Sequence, residues 1–170
     1  MKMLVPAVTV FMIAPVCMAH ALPHVGLYQT IDDATNSPKS VVALYEYDGK
    51  LAGRVVALYG ANGEISETIE NPIKIAQKVK GEPNYSGLDI IWNMSWDADD
   101  NRYEDGKIMD PASGKVYSSV IWAENDNELN VRGKIGPIGR TQHWKKVDAA
   151  KLPAAIQNID TTNWKPLIRK

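Results

Sequence analysis

The chain has 170 residues, with 19 lysines and arginines against 20 aspartates and glutamates, a formal charge of −1. So even a balance offers no basic field for nucleic acid, and losing Lys2 with the leader described next shifts it only to about −2. One cysteine, Cys17, gives no disulfide framework.

Lys2, the apolar run Met3 to Met18 and the small-x-small triplet Ala19-His20-Ala21 have the form of a secretory signal, too short and wrongly flanked for a membrane span. Cleavage is expected after Ala21. This gives a signal peptide over residues 1–21, a single domain over 22–170 and no integral membrane segment in the product. A rival reading makes Cys17 the lipid-bearing residue of a lipoprotein, but Ala14-Pro15-Val16 lacks the small residue expected just before such a cysteine. If Cys17 leaves with the leader, thiol catalysis and disulfides leave with it.

Gly26 to Thr30 reads as a short first strand. Ser40 to Tyr47, rich in β-formers, is followed by Asp48-Gly49 and a second run from Lys50 to Tyr59, the strongest hairpin signal in the chain. Gly53 marks a bulge or bend in that run. Periodicity fails from Gly60 to Ser86, where Ile73 to Val79 suits either a short helix or an edge strand; the segment is a lid, a binding loop or a solvated excursion. Strands resume at Leu88 to Trp92, then Tyr103 to Met109, Val116 to Ala123, Glu128 to Lys134 and Thr141 to Val147. Between two of them, Asp110-Pro111-Ala112-Ser113-Gly114 forms a tight loop in which Asp caps, Pro fixes φ and Gly tolerates positive φ. A short helix is expected near Pro153 to Asn158, with Trp164 beyond it as an anchor on the outer surface. The pattern is all-β: about eight antiparallel strands in a barrel or sandwich, with a short helical tail.

Signs of catalysis are lacking. Asp97-x-Asp99-x-Asn101 begins like a calcium loop, but Arg102 stands where Gly is needed and Ile108 where Glu is needed. His24 and His143 alone make no zinc site. Glu104 and Asp105 point to opposite faces of a strand, and Ser118 and Ser119 lack a nucleophile motif. The expectation is a non-enzymatic protein with no cofactor and no metal. What stands out is aromatic: Tyr45, Trp92, Tyr103, Tyr117 and Trp122 fall on neighbouring strands. They either fill a core or line a lumen, and an eight-stranded barrel is near the size that holds one small ligand.

Pro38-Lys39-Ser40-Val41-Val42, Asp48-Gly49-Lys50-Leu51-x-Gly53-Arg54, Asn71-Pro72, Gly106-x-Ile108-x-Asp110-Pro111-x-x-Gly114-Lys115-x-Tyr117, Leu129-x-Val131-Arg132-Gly133 and Gly139-Arg140-x-x-x-Trp144 together resemble domain-of-unknown-function family 2147, which comprises exported bacterial proteins. The resemblance implies a lipocalin-like up-and-down β-barrel, a periplasmic location and a ligand-carrying role without established activity. Structural roles then fall to Gly26, Tyr28, Asp110, Pro111, Gly114, Arg140 and Trp144, with first and last strands paired and Arg140 lying over the Tyr28 ring at the closed end. Lipocalins open with Gly-x-Trp; here Gly26-Leu27-Tyr28 has tyrosine instead. The expected partner is a small apolar or amphipathic ligand held by the five aromatics. The alternative is a filled barrel serving as a structural or protein-interaction domain of the envelope.

Overall fold

The computed structural model describes residues 22–169, so the expected leader, its cleavage point and Cys17 lie outside the described residues. Nine strands follow in order: β1 Gly26–Asp32, β2 Ser37–Tyr47, β3 Lys50–Tyr59, β4 Ile65–Thr68, β5 Asp89–Asp97, β6 Arg102–Asp110, β7 Lys115–Asn125, β8 Glu128–Ile135 and β9 Ile138–Lys146. All but β4 form one closed antiparallel barrel, each strand beside the next and β9 returning to β1. The short β4 pairs with β3 outside that circuit.

The turns follow their residues. Asp48 and Gly49 both adopt positive φ, 53° and 69°, the pair of left-handed residues that a two-residue hairpin turn requires. Asp32, Asp97 and Asp110 each accept hydrogen bonds from backbone amides two or three residues on. The acidic turn after β5 therefore uses its first carboxylate to cap its own backbone. In the β6–β7 turn, Gly114 has a φ of 70° and donates its N–H to the Asp110 carbonyl at 2.8 Å. Gly53 sits where the β3–β5 ladder loses register, and a Cβ there would come within 3.0 Å of Leu44 and 3.2 Å of Ile91.

The segment between β4 and β5 is neither helix nor regular strand. Ile75 makes a single isolated bridge with Asn84, while Ala76 and Val79 bury themselves against the main core. Glu67 staples this segment down: its carboxylate accepts from Ile73 N at 3.1 Å, Lys74 N at 2.7 Å and Ser86 Oγ at 2.8 Å.

Outside the barrel, a 3-10 turn (Ala149–Lys151) and a helix of one turn, α1 Ala154–Gln157, place Leu152 and Ile156 on Val41, Ala43, Val56 and Ala57. Burying two such side chains contributes about 1.5–3 kcal/mol each. Trp164 completes this second, outer cluster, the anchoring expected of it.

First and last strands do pair, through Tyr28↔Lys146 and Gln29↔Lys145. The ladder stops there. β1 shifts register against β2 at Thr30/Ile31, and between that kink and β9 the link on the far side is an ion pair, Asp33 with Arg140.

Candidate functional site

The barrel interior has two halves of different character. In one, Tyr28, Leu44, Leu51, Met94, Tyr103, Ile121 and Leu129 are packed to near-zero exposure. The segment Leu22 to Val25 plugs that end: Tyr103 donates its hydroxyl to the Pro23 carbonyl at 2.5 Å, its ring lies 4.8 Å from that of Trp96, and the His24 ring stands 6.0 Å from Trp96. In the other half a cavity of about 1360 Å³ opens to solvent between the β1–β2, β3–β4, β6–β7 and β8–β9 turns. Small-ligand sites run to roughly 300–1,000 Å³, so the space is ample even allowing for its open mouth.

Trp144, 1% exposed, and Val131 form its deep end, and Val55, Leu58, Ile108 and Tyr117 belong to its wall. The residues facing it come from strand alternation: Leu129 and Val131 on β8 point inward, with Val131 at the cavity and Leu129 against the filled half. Few polar groups reach the depth, and they satisfy one another. Thr30 Oγ1 and Ser40 Oγ share a hydrogen bond of 2.7 Å, and Trp144 Nε1 donates to Gln142 Oε1 at 3.3 Å. At the rim, Ile73, Ile135 and Ile138 are 72%, 65% and 78% exposed while also lining the opening. Large apolar side chains left in water at a cavity mouth extend its apolar surface outward.

Of the five aromatics expected to share one lumen, the cavity is lined by Tyr117 alone. Tyr45 faces outward, where its hydroxyl donates to Asp89 at 2.8 Å and its ring meets that of Trp164 at 5.2 Å under the C-terminal tail. Trp122, one residue on from the inward Ile121, stands on the outer face between Arg102 and Asn130. Tyr103 belongs to the plugged end, and Trp92, paired with Lys107, is buried in the main core without lining the cavity. The missed residue of most consequence is Trp144, expected only as a structural position. Its signal was present in the sequence, two residues from Gln142 on the strand that closes the barrel.

Arg140 does not cover Tyr28. It lies at the cavity mouth beside Gly133 and binds Asp33, whereas Tyr28 is buried lower on the barrel opposite Val42 and Lys146. Six residues of extended β9 separate Arg140 from the partner of Tyr28, about 20 Å at the usual strand rise. His24 packs beside Trp96 at the plugged end, and His143 pairs with Glu128 at 3.2 Å. The Gly60 to Ser86 excursion does reach the mouth, through Gly60 to Gly63, Ile73, Lys74 and Tyr85.

An eight-stranded antiparallel barrel, plugged at one end and hollow at the other, is a lipocalin-like architecture. The solved structure of protein HP1028 from Helicobacter pylori, described as belonging to the lipocalin family, is similar at a TM-score of 0.57, with 19% identity over 72% of this chain and 82% of that one. At that identity the likeness concerns the fold. Residues 26–146 match the family described as "Uncharacterized protein conserved in bacteria (DUF2147)", and the chain belongs to that family. No curated protein matches it.

Proposed function

We infer that this protein is an exported, non-enzymatic binder of a small apolar or amphipathic molecule, held in the hollow half of the barrel. The observation that carries this reading is the cavity itself, open at one end and floored by Trp144 and Val131. A barrel serving only as scaffold gains stability by filling its interior, because each void forfeits packing contacts; here half the interior is filled and half is not. The alternative, a filled barrel docking to envelope proteins, has that open half against it. No helix among the described residues is long and apolar enough to cross a membrane. Export rests on the leader read from the sequence.

Titration with an apolar fluorescent dye, alongside mass spectrometry of solvent extracts from natively purified protein, tests the reading. Saturable uptake at one dye per chain, displaced by the extracted compound, is the expected result. Failure to take up any apolar dye would remove the carrier assignment.

A further inference from the structure

The mouth of the cavity carries an arrangement of charge that its interior does not share. Three cations line it: Lys39, Lys74 and Arg140. Four carboxylates line it too, but three are committed to the backbone. Asp32 accepts from Ala34 N and Thr35 N, Asp110 from Ala112 N and Ser113 Oγ, and Glu67 from Ile73 N, Lys74 N and Ser86 Oγ. Asp33 differs. Among the described residues its polar contact is with the Arg140 guanidinium, and it sits on the β1–β2 turn rather than on a strand. Among the described residues the Lys74 ammonium forms no ion pair; its Nζ rests 4.7 Å from the centre of the Tyr85 ring.

We propose that the ligand is an anionic amphiphile, an apolar chain ending in one carboxylate or phosphate, with its chain running toward Trp144 and its head at Arg140 and Lys74. This rests on the carrier reading above. The depth of the cavity supplies apolar wall and polar pairs already satisfied internally, so a charged head buried there would lose its hydration without compensation. At the mouth the reverse holds. The Asp33 carboxylate occupies the place against Arg140 that a ligand's anionic head would take, and it can be displaced without breaking a backbone hydrogen bond. Arg is suited to that exchange because its planar fork accepts carboxylate and phosphate alike in bidentate geometry. The exposed isoleucines at the rim extend the apolar path up to the level of the cations.

The test is displacement of the bound dye by palmitate, hexadecyl phosphate and methyl palmitate, three chains of equal length with different heads. The charged pair is expected to bind about tenfold or more tightly than the ester, as charge-assisted contacts imply, and the gap to shrink as salt rises. Which of the two charged heads binds better assigns the ligand to carboxylates or to phosphates. Arg140→Gln combined with Lys74→Gln is expected to close the gap, and Asp33→Asn, which frees Arg140, to widen it. A merely structural latch between Asp33 and Arg140 predicts the opposite for Asp33→Asn: weaker binding of all three heads and a lower unfolding midpoint. Equal displacement by all three heads, or loss of palmitate binding in Asp33→Asn, overturns the inference while leaving the carrier reading intact. A wild-type protein that takes up no dye overturns both.

Discussion

The Arg54 guanidinium lies 4.3 Å from the centre of the Trp164 ring while holding both carboxylate oxygens of Asp89, each at 2.9 Å. It thereby ties the outer face of the barrel to a tail that begins after β9. Asp89, 1% exposed, also accepts from Tyr45 Oη and from Leu167 N, both at 2.8 Å. Asp89→Ala would strand a half-buried guanidinium together with two donors. It is expected to cost about 3–5 kcal/mol and to expose the tail to chymotrypsin at Trp164, the ring that Arg54 covers. Urea unfolding and limited proteolysis measure the two effects; a wild-type midpoint with an intact tail would show that the clamp is idle.

Ligand uptake should be reported by one tryptophan. Trp144 lines the cavity, whereas Trp92, Trp96, Trp122 and Trp164 do not. Trp144→Phe is expected to remove most of the fluorescence change on dye or ligand binding, and Trp122→Phe to keep it. The opposite pattern would place the ligand on the outer face of β7.

Stability should fall at alkaline pH for an identifiable reason. Burial pushes the Tyr28, Tyr45 and Tyr103 hydroxyls above the ordinary tyrosine range, with the charge of Asp89 adding to the effect at Tyr45 and that of Glu46 at Tyr103. The folded state keeps these protons where the unfolded chain releases them. The stabilising difference is therefore complete below about pH 10 and is lost above it by about 1.4 kcal/mol per pH unit for each tyrosine. Tyr103→Phe should remove one tyrosine's share of that slope, read from urea midpoints at rising pH. An unchanged slope would mean that the plugged end is wetter than its packing indicates.

His24 gives the complementary acid limb. Burial foremost, then the nearby Lys146, lowers its pKa, against a smaller opposing pull from Asp126. The plug it belongs to is stabilised above about pH 6.5 and loosens as pH falls through the lowered folded value. Protection of the Leu22, His24 and Val25 amides, taken relative to the intrinsic exchange rate at each pH, should fall on acidification in the wild type and hold in His24→Gln.

Gly114 is replaceable only at a cost. Its φ is 70°, and a Cβ there would stand 2.1 Å from the Lys78 carbonyl, which belongs to the excursion packed against this turn. Gly114→Ala is expected to destabilise by about 1–3 kcal/mol through strain and the forced retreat of that segment, measured as a drop in the thermal midpoint. A mutant as stable as the wild type would show that the two segments do not touch in solution.

The N-terminus is checked by intact mass on material recovered from the periplasm. Cleavage after Ala21 predicts a chain beginning at Leu22, close to the residues that plug the closed end. A lipid-modified Cys17 at the terminus would instead make the protein a membrane-tethered one.

The strand count, the Asp48-Gly49 hairpin and the Asp110 to Gly114 turn were legible because short-range rules determine them: alternation, left-handed turn residues and side-chain caps. The contents of the cavity were not, because facing depends on register, and register depends on irregularities that sequence announces poorly. Asn93 and Asp105 adopt positive φ at 59° and 61° on facing strands β5 and β6, and the β6–β7 ladder slips between Tyr103 and Gly106. Such kinks interrupt the two-residue rhythm from which facing would be counted. Tyr45 misled for another reason. It is fully buried, but by the tail packed outside rather than by the barrel, and no local pattern tells those two kinds of burial apart. Arg140 was misplaced by analogy rather than by physics: it was read as lying just before the last strand and at the closed end, whereas it is part of β9 and stands at the open mouth.

The short ladder between β1 and β9 bears on how the molecule is made. It is the seam that turns a curled sheet into a barrel, and it joins the two ends of the domain through Tyr28↔Lys146 and Gln29↔Lys145. A growing chain can assemble every neighbouring hairpin and still be unable to close until β9 is complete. Closure so non-local belongs to the slow class of folding topologies, with times of milliseconds to seconds. Until then the inner faces of β1 and β9 stay open at their edges. The same seam is the place where the finished barrel should begin to unzip.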